Sequence, residues 1–200
     1  MFRTLAIVVL ALFAALRPAA AQTAEPDQAA LTVKAEAALR GIEVMRSDFV
    51  FSNQGGAHKG RLFVDRAGGR LRMEFDPPLG HLLIANGGRI DFIGGNGTVV
   101  SAGVQATPLA LVFGPDAKLA GAVEVLEAKA RGKSVYIAVA QRDRREDGQV
   151  ILQFDRSAPD WTLSGWGYLD AEGRYTRTAL ANMRHGGDLD AALFEAPARQ

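Results

Sequence analysis

Three histidines, His58, His81 and His185, are the side chains best suited to ligate a metal or move a proton. They stand far apart, and none has a second histidine two to four residues away, the spacing that puts two imidazoles on one ion. Asp188 and Asp190 lie two apart in Gly187-Asp188-Leu189-Asp190, where solvation at the surface accounts for them. Ser164 sits in Ser164-Gly165-Trp166-Gly167, inside a strand-like run, and lacks the strand-turn-helix pattern that exposes a nucleophilic serine. Gly94-Gly95-Asn96-Gly97 joins two strand-like runs with no helix after it, so it reads as a hairpin turn and not a phosphate loop. The chain has no cysteine, which removes disulfides, thiolate metal sites and thiol nucleophiles together. We therefore expect no catalytic residues, no bound metal and no cofactor.

One polar residue is conspicuous by position. In Gly60-Arg61-Leu62-Phe63-Val64-Asp65-Arg66, alternation puts Arg66 on the side of Leu62 and Val64. If that side faces an interior, a guanidinium points into apolar surroundings, which is costly unless its donors are satisfied. Carbonyls at the end of a covering helix would satisfy them and make Arg66 a latch. Alternatively Arg66 ends its strand and turns into water, as Gly68-Gly69 would permit.

The elements that would position such a residue follow from periodicity. Leu31, Ala35, Ala38, Leu39 and Ile42 recur at helical spacing, with Lys34, Glu36, Arg40 and Glu43 on other faces, and predict one amphipathic helix. From Ser47 onward the period becomes two. Leu71, Met73 and Phe75 alternate with Arg70, Arg72, Glu74 and Asp76, the mark of a strand with one apolar and one wet face. Similar alternation occurs at Ile90/Phe92, Val135/Ile137/Val139 and Val150/Leu152/Phe154. Glycine-rich turns separate the runs, giving roughly ten or eleven strands in an antiparallel meander. A short apolar insert, Thr107-Pro108-Leu109-Ala110-Leu111-Val112-Phe113 before Gly114-Pro115, has a capping residue, an N1 proline and a stop. Its composition requires an apolar surface beneath it, either as a core plug or as a cover. The fold class is mainly β: one strongly curved antiparallel sheet with helical pieces on its concave face.

Composition bounds the setting. Arg3, then the 12-residue apolar run Leu5–Leu16, then Ala19-Ala20-Ala21 have the layout of a cleaved signal peptide over 1–21; the run is short of the ~20 residues of a spanning helix. An uncleaved amphipathic anchor is the alternative. Residues 22–200 form a single domain of 179 residues with 21 basic against 22 acidic side chains, a balance that argues against nucleic acid. We expect export to the periplasm and no nucleic-acid partner.

The ordered pieces together resemble a known family, the periplasmic outer-membrane lipoprotein carriers (LolA). They begin at Met45-Arg46-Ser47-Asp48-Phe49-Val50-Phe51 and Gly60-Arg61-Leu62-Phe63-Val64-Asp65-Arg66. They continue through Leu71-Arg72-Met73-Glu74-Phe75-Asp76-Pro77-Pro78, Leu83-Ile84-Ala85-Asn86-Gly87-Gly88 and Thr107-Pro108-Leu109. Ile151-Leu152-Gln153-Phe154-Asp155, Trp161-Thr162-Leu163, Asp170-Ala171-Glu172-Gly173-Arg174-Tyr175-Thr176 and Asp190-Ala191-Ala192-Leu193-Phe194 complete the set. The chain departs from the family at Ala67, where a proline is common, and at Asn86-Gly87, where Asp-Gly is usual.

The resemblance implies an unclosed β-barrel lidded by helices, and a non-enzymatic carrier of acylated lipoproteins. Such a carrier takes them from an inner-membrane ABC-type releasing complex to an outer-membrane receptor. On that expectation a lipid cavity is lined by Leu62, Val64, Leu71, Met73, Phe75, Ile90, Phe92, Val135, Ile137, Val150 and Leu152. The lid spans Leu31 to Met45 together with Pro108 to Phe113, with Leu31, Ala35, Leu39, Ile42, Leu109, Leu111, Val112 and Phe113 facing inward. Arg66 matches the family's lid-holding interior arginine by its place at the end of the second strand. A monomer suffices for this task. A carrier or sensor of a phospholipid or glycolipid, and a cargo-free envelope interaction domain, are the competing expectations.

Overall fold

The computed structural model describes residues 27–103, 113, 114, 119 and 123–197. The expected signal segment 1–21 lies outside them, as do Leu109, Leu111 and Val112. Helix α1 (Gln28–Arg40) starts at Asp27, whose carboxylate accepts from the Ala29 amide, and stops at Gly41, whose N–H reaches back to Ala37 O. It buries Leu31, Ala35 and Leu39, one stripe at four-residue intervals.

Among the described residues eleven strands follow. They are β1 (Val44–Asn53), β2 (Gly56–Asp65), β3 (Arg70–Phe75), β4 (Leu82–Asn86), β5 (Arg89–Ile93), β6 (Val99–Gly103), β7 (Val123–Arg131), β8 (Ser134–Gln141), β9 (Gly148–Asp155), β10 (Thr162–Asp170) and β11 (Tyr175–His185). All pair antiparallel in one sheet of order β6-β5-β4-β3-β2-β1-β11-β10-β9-β8-β7. The two edges, β6 and β7, do not join, so the sheet is an unclosed barrel. α1 is its helical lid, lying against β7, β8 and β10.

The register explains how the alternation makes a single interior. Met45 pairs with Val64, Val64 with Leu71, Leu71 with Ala85 and Ala85 with Ile90. Directly opposed residues share a face, so this row runs apolar across five strands. On the other half, Val135 pairs with Phe154 and Phe154 with Leu163, while Ile137 pairs with Leu152 and Leu152 with Trp166. The odd member is Gly60, between Phe49 and Phe75. The two rings meet edge to face at 5.0 Å, and a Cβ on Gly60 would stand 2.5 Å from Phe49.

The C-terminal tail crosses the outer face and is tied to it by polar side chains. Arg46 donates to the carbonyls of Gly186 and Asp188, Arg72 to Leu193 O at 2.8 Å and Asn86 to Phe194 O at 3.3 Å. These bonds seat the 3₁₀ turn Ala191–Phe194 on β3 and β4, with Phe194 buried.

The expected lid span of Leu31 to Met45 runs past the helix. The helix ends at Arg40, and Met45 is a strand residue paired on both sides, with Val64 and His185. Two ladders of backbone bonds outweigh one further helical turn. Ile42, past the helix end, is still buried.

Candidate functional site

Arg66 is the first residue after β2, and the parity of Leu62 and Val64 carries it inward, leaving it 8% exposed. Its Nε donates to Ile42 O at 2.7 Å, one terminal nitrogen to Leu39 O at 2.8 Å and the other to Gly114 O at 2.5 Å. Leu39 is in the last turn of α1 and Ile42 lies just past its end, where the macrodipole is negative; Leu39 O also accepts from the Ile42 amide at 3.1 Å. A guanidinium there satisfies two carbonyls and is stabilised by the dipole. The third bond ties in Gly114, beside the buried Phe113. Burial pushes the Arg66 pKa below the usual arginine range; such a group stays charged at neutral pH.

The loop that presents Arg66 is itself fixed. Asp65 accepts from the Gly68 amide at 3.0 Å and from Arg70 Nε at 2.9 Å, and a second nitrogen of Arg70 also contacts it. The Gly68 amide first, and Arg70 after it, hold the Asp65 carboxyl below the usual carboxylate range, with burial opposing them. Arg66 N also donates to Glu43 O at 2.8 Å.

Beneath the cover lies the apolar wall. Leu62, Val64, Leu71, Met73, Ile90, Val135, Ile137, Val150 and Leu152 are each 5% exposed or less and share one cluster with Leu31, Ala35, Leu39, Ile42 and Phe113. Phe113 meets Trp166 of β10 edge to face at 5.4 Å. The wall therefore touches the cover directly.

Two of the expected lining residues share the inner face but are less covered than the rest. Phe75 is half-buried, packed between Phe49 and His81, and Phe92 is 38% exposed. Phe92 shares its row with Met73 and Leu83, so its face is the inner one. α1, however, rests on the opposite half of the sheet, and alternation specifies a face without specifying what covers it.

The cover has a second polar attachment that sequence reasoning missed. Glu36 Oε1 accepts from the Leu119 amide at 2.7 Å, and Leu119 is buried. A glutamate on a helix reads as a solvated residue, and its partner is 83 positions away, so no local signal pointed to it.

A separate groove of about 590 Å³ flanks α1, lined by Ala38, Gly41, Trp161, Leu163 and Met183 among others. Lys34 Nζ lies 5.6 Å from the Trp161 ring centre there.

The remaining polar candidates are dispersed. His81 is wedged between the Phe75 and Phe92 rings, at 6.1 and 5.0 Å. His58 is in β2 and His185 ends β11. Ser164 donates to Gln153 O at 3.1 Å, and Asp190 caps the 3₁₀ turn through the Ala192 amide. Among the described residues no group of three or more His, Asp or Glu is placed to hold a metal, and no helix is long and apolar enough to cross a membrane.

Comparison with known proteins adds the following. The sequence model of the family described as outer membrane lipoprotein carrier protein LolA matches residues 40–197. No curated protein sequence matches the chain significantly. An uncharacterised conserved protein from Thermus thermophilus superposes with a TM-score of 0.52 at 10% identity, over 85% of this chain and 95% of that one. A LolA superfamily protein from Nitrosomonas europaea superposes with a TM-score of 0.49 at 10% identity, over 84% and 97%. MucB of Pseudomonas aeruginosa, in its complex with MucA, gives 0.47 at 19% identity, over 85% and 61%. At such identities the likeness is one of fold.

Proposed function

We propose that this chain, which belongs to the LolA family of outer membrane lipoprotein carriers, carries acylated lipoproteins across the periplasm with their acyl chains beneath its helical cover. It acts as a carrier and not as a catalyst. It would take cargo from an inner-membrane releasing complex and yield it to an outer-membrane receptor. The observation that carries this reading is the Arg66 contact. A buried cation joins the sheet to the carbonyls of Leu39, Ile42 and Gly114, directly over an apolar wall.

The energetics favour that arrangement. Each acyl CH₂ kept from water is worth ~0.8 kcal/mol, so a multi-acyl anchor exposed to water costs tens of kcal/mol. A carrier must hide that area and still release it without an energy source of its own. Here the wall is never left bare. Leu31, Ala35 and Leu39 cover it when cargo is absent, and cargo covers it when α1 has left. Exchange then costs the difference between two burials. Arg66 sets the balance, because its bonds to the cover exist only with the cover down. Cargo and cover are alternative occupants of the same wall, and the more tightly one is held, the less of the other is bound.

Native mass spectrometry of protein purified from the periplasm tests the reading. The expected result is a bound mass equal to an acylated lipoprotein or its lipopeptide. A bound phospholipid or glycolipid would overturn the lipoprotein assignment, and persistent absence of any apolar ligand would overturn the carrier itself.

A further inference from the structure

β10 and β11 run side by side for only part of their length. Their register extends from Gly165↔Ala179 to Leu169↔Tyr175. Beyond Gly165, Thr162 and Leu163 pair with β9, while Ala181, Arg184 and His185 pair with β1. Each strand carries one extra residue just there, β10 between Leu163 and Gly165 and β11 between Ala181 and Arg184. A bulge bends the strand that holds it. At the last shared level a Cβ on Gly165 would stand 2.3 Å from Thr178 O, so the strands touch there and part beyond. Among the described residues the split leaves two facing strand edges with no strand between them. Such an edge is a template for another chain. The β11 edge also presents an acceptor. Gly186 donates its N–H to Val44 O at 2.9 Å, and the planar trans peptide then turns the His185 carbonyl away from β1, into the split.

The groove of about 590 Å³ opens at this split, with Thr162 and Leu163 lining it from β10, Met183 and His185 from β11, and Ala37 and Ile42 from the α1 side. Ile42 and Leu163 belong to the buried cluster that forms the wall, and Met183 packs against it. The floor of the groove thus adjoins the place given to acyl chains. Hydrocarbon has no use for strand edges, whereas a peptide backbone does. We infer that the split holds an extended peptide, the stretch of cargo polypeptide next to its acylated residue, bonded through its backbone to the edges of β10 and β11. This rests on the carrier reading and adds to it a site for the protein part of the cargo. From Gly165 to Thr162 the split is about 10 Å long at ~3.3 Å per residue, room for three or four residues. Recognition through the main chain is indifferent to side chains, so cargoes of unlike sequence are held alike.

Calorimetric binding of three synthetic probes to the full chain tests it: an acylated amino-acid amide, the same acylated residue followed by four more, and that pentapeptide with its backbone nitrogens methylated. The acylated pentapeptide should bind about tenfold or more tighter than the amide, the worth of one or two net hydrogen bonds, and the methylated copy should lose that gain. Ala37→Phe, at an exposed position of α1 that lines the groove, should abolish the gain and leave binding of the amide within about twofold of wild type. Equal binding of amide and pentapeptide, or a gain that survives methylation or Ala37→Phe, would overturn the split as a peptide site. If Ala37→Phe weakens the amide as well, the substitution has disturbed the wall, and the methylated probe on the wild-type chain decides alone. Binding of the amide with no peptide gain sinks this site and leaves the carrier reading standing. Failure of all three probes to bind overturns the carrier reading and this site with it.

Discussion

Arg66 holds the cover through three carbonyls aimed at its guanidinium from different directions. A planar fork can meet all three, and a lysine ammonium on its single stem cannot. Arg66→Leu removes the tether and takes the guanidinium from the Ile42 and Gly114 carbonyls, at about 1–3 kcal/mol for a carbonyl left buried without a donor, whereas Leu39 O keeps the Ile42 amide. The cover is then held less firmly, and cargo faces a weaker competitor. We predict that Arg66→Leu retains an acylated lipopeptide about tenfold or more longer than wild type, read as slowed transfer to acceptor vesicles; unchanged transfer would remove Arg66 from the mechanism. Asp65 supports the same loop and gives a pH prediction. Its folded pKa is depressed, so its contribution is present above the ordinary value of 3.8 and is lost as pH falls through the lower folded value. Asp65→Asn should therefore have a lower Tm than wild type at neutral pH, and the gap should close in acid. The parity of Leu62 and Val64 left Arg66 either inward or turning into water, and only the family resemblance favoured the inward place. Glu36 was not legible, because helical period says nothing of a backbone amide far along the chain.

At the scale of elements, the sheet was the most legible part, since its strands alternate and glycines mark most of its turns. Gly60 shows how closely the rows fit. A methyl group there would stand 2.0 Å from Glu74 O and 2.5 Å from the Phe49 ring. One of these is backbone, so β3 or β2 must shift. Gly60→Ala is expected to cost about 1–3 kcal/mol, measured by urea unfolding; a neutral result would mean that β2 and β3 separate more freely than their register implies. The helical spacing ran to Ile42 and the lid to Met45, whereas the helix ends at Arg40 and β1 already pairs Met45 on both sides. Phe92 was expected to line the interior, and it stands on that face yet 38% exposed. Its face is right, but α1 lies over β7, β8 and β10, and which half of a curved sheet a helix covers is fixed by tertiary contacts.

For the whole molecule, carriage of this kind requires that acyl chains and the cover compete for one wall. Two tryptophans stand on either side of that question. Trp166 lies under Phe113 at 5.4 Å, whereas Trp161 lines the groove flanking α1, beside Lys34. A lipopeptide brominated along its acyl chains quenches indole fluorescence only at contact range, and single-tryptophan variants report each site separately. Loading should quench Trp166 in the Trp161→Phe chain and leave Trp161 largely bright in the Trp166→Phe chain. Quenching of Trp161 with Trp166 untouched would put the acyl chains in that groove instead of beneath the cover and contradict the account.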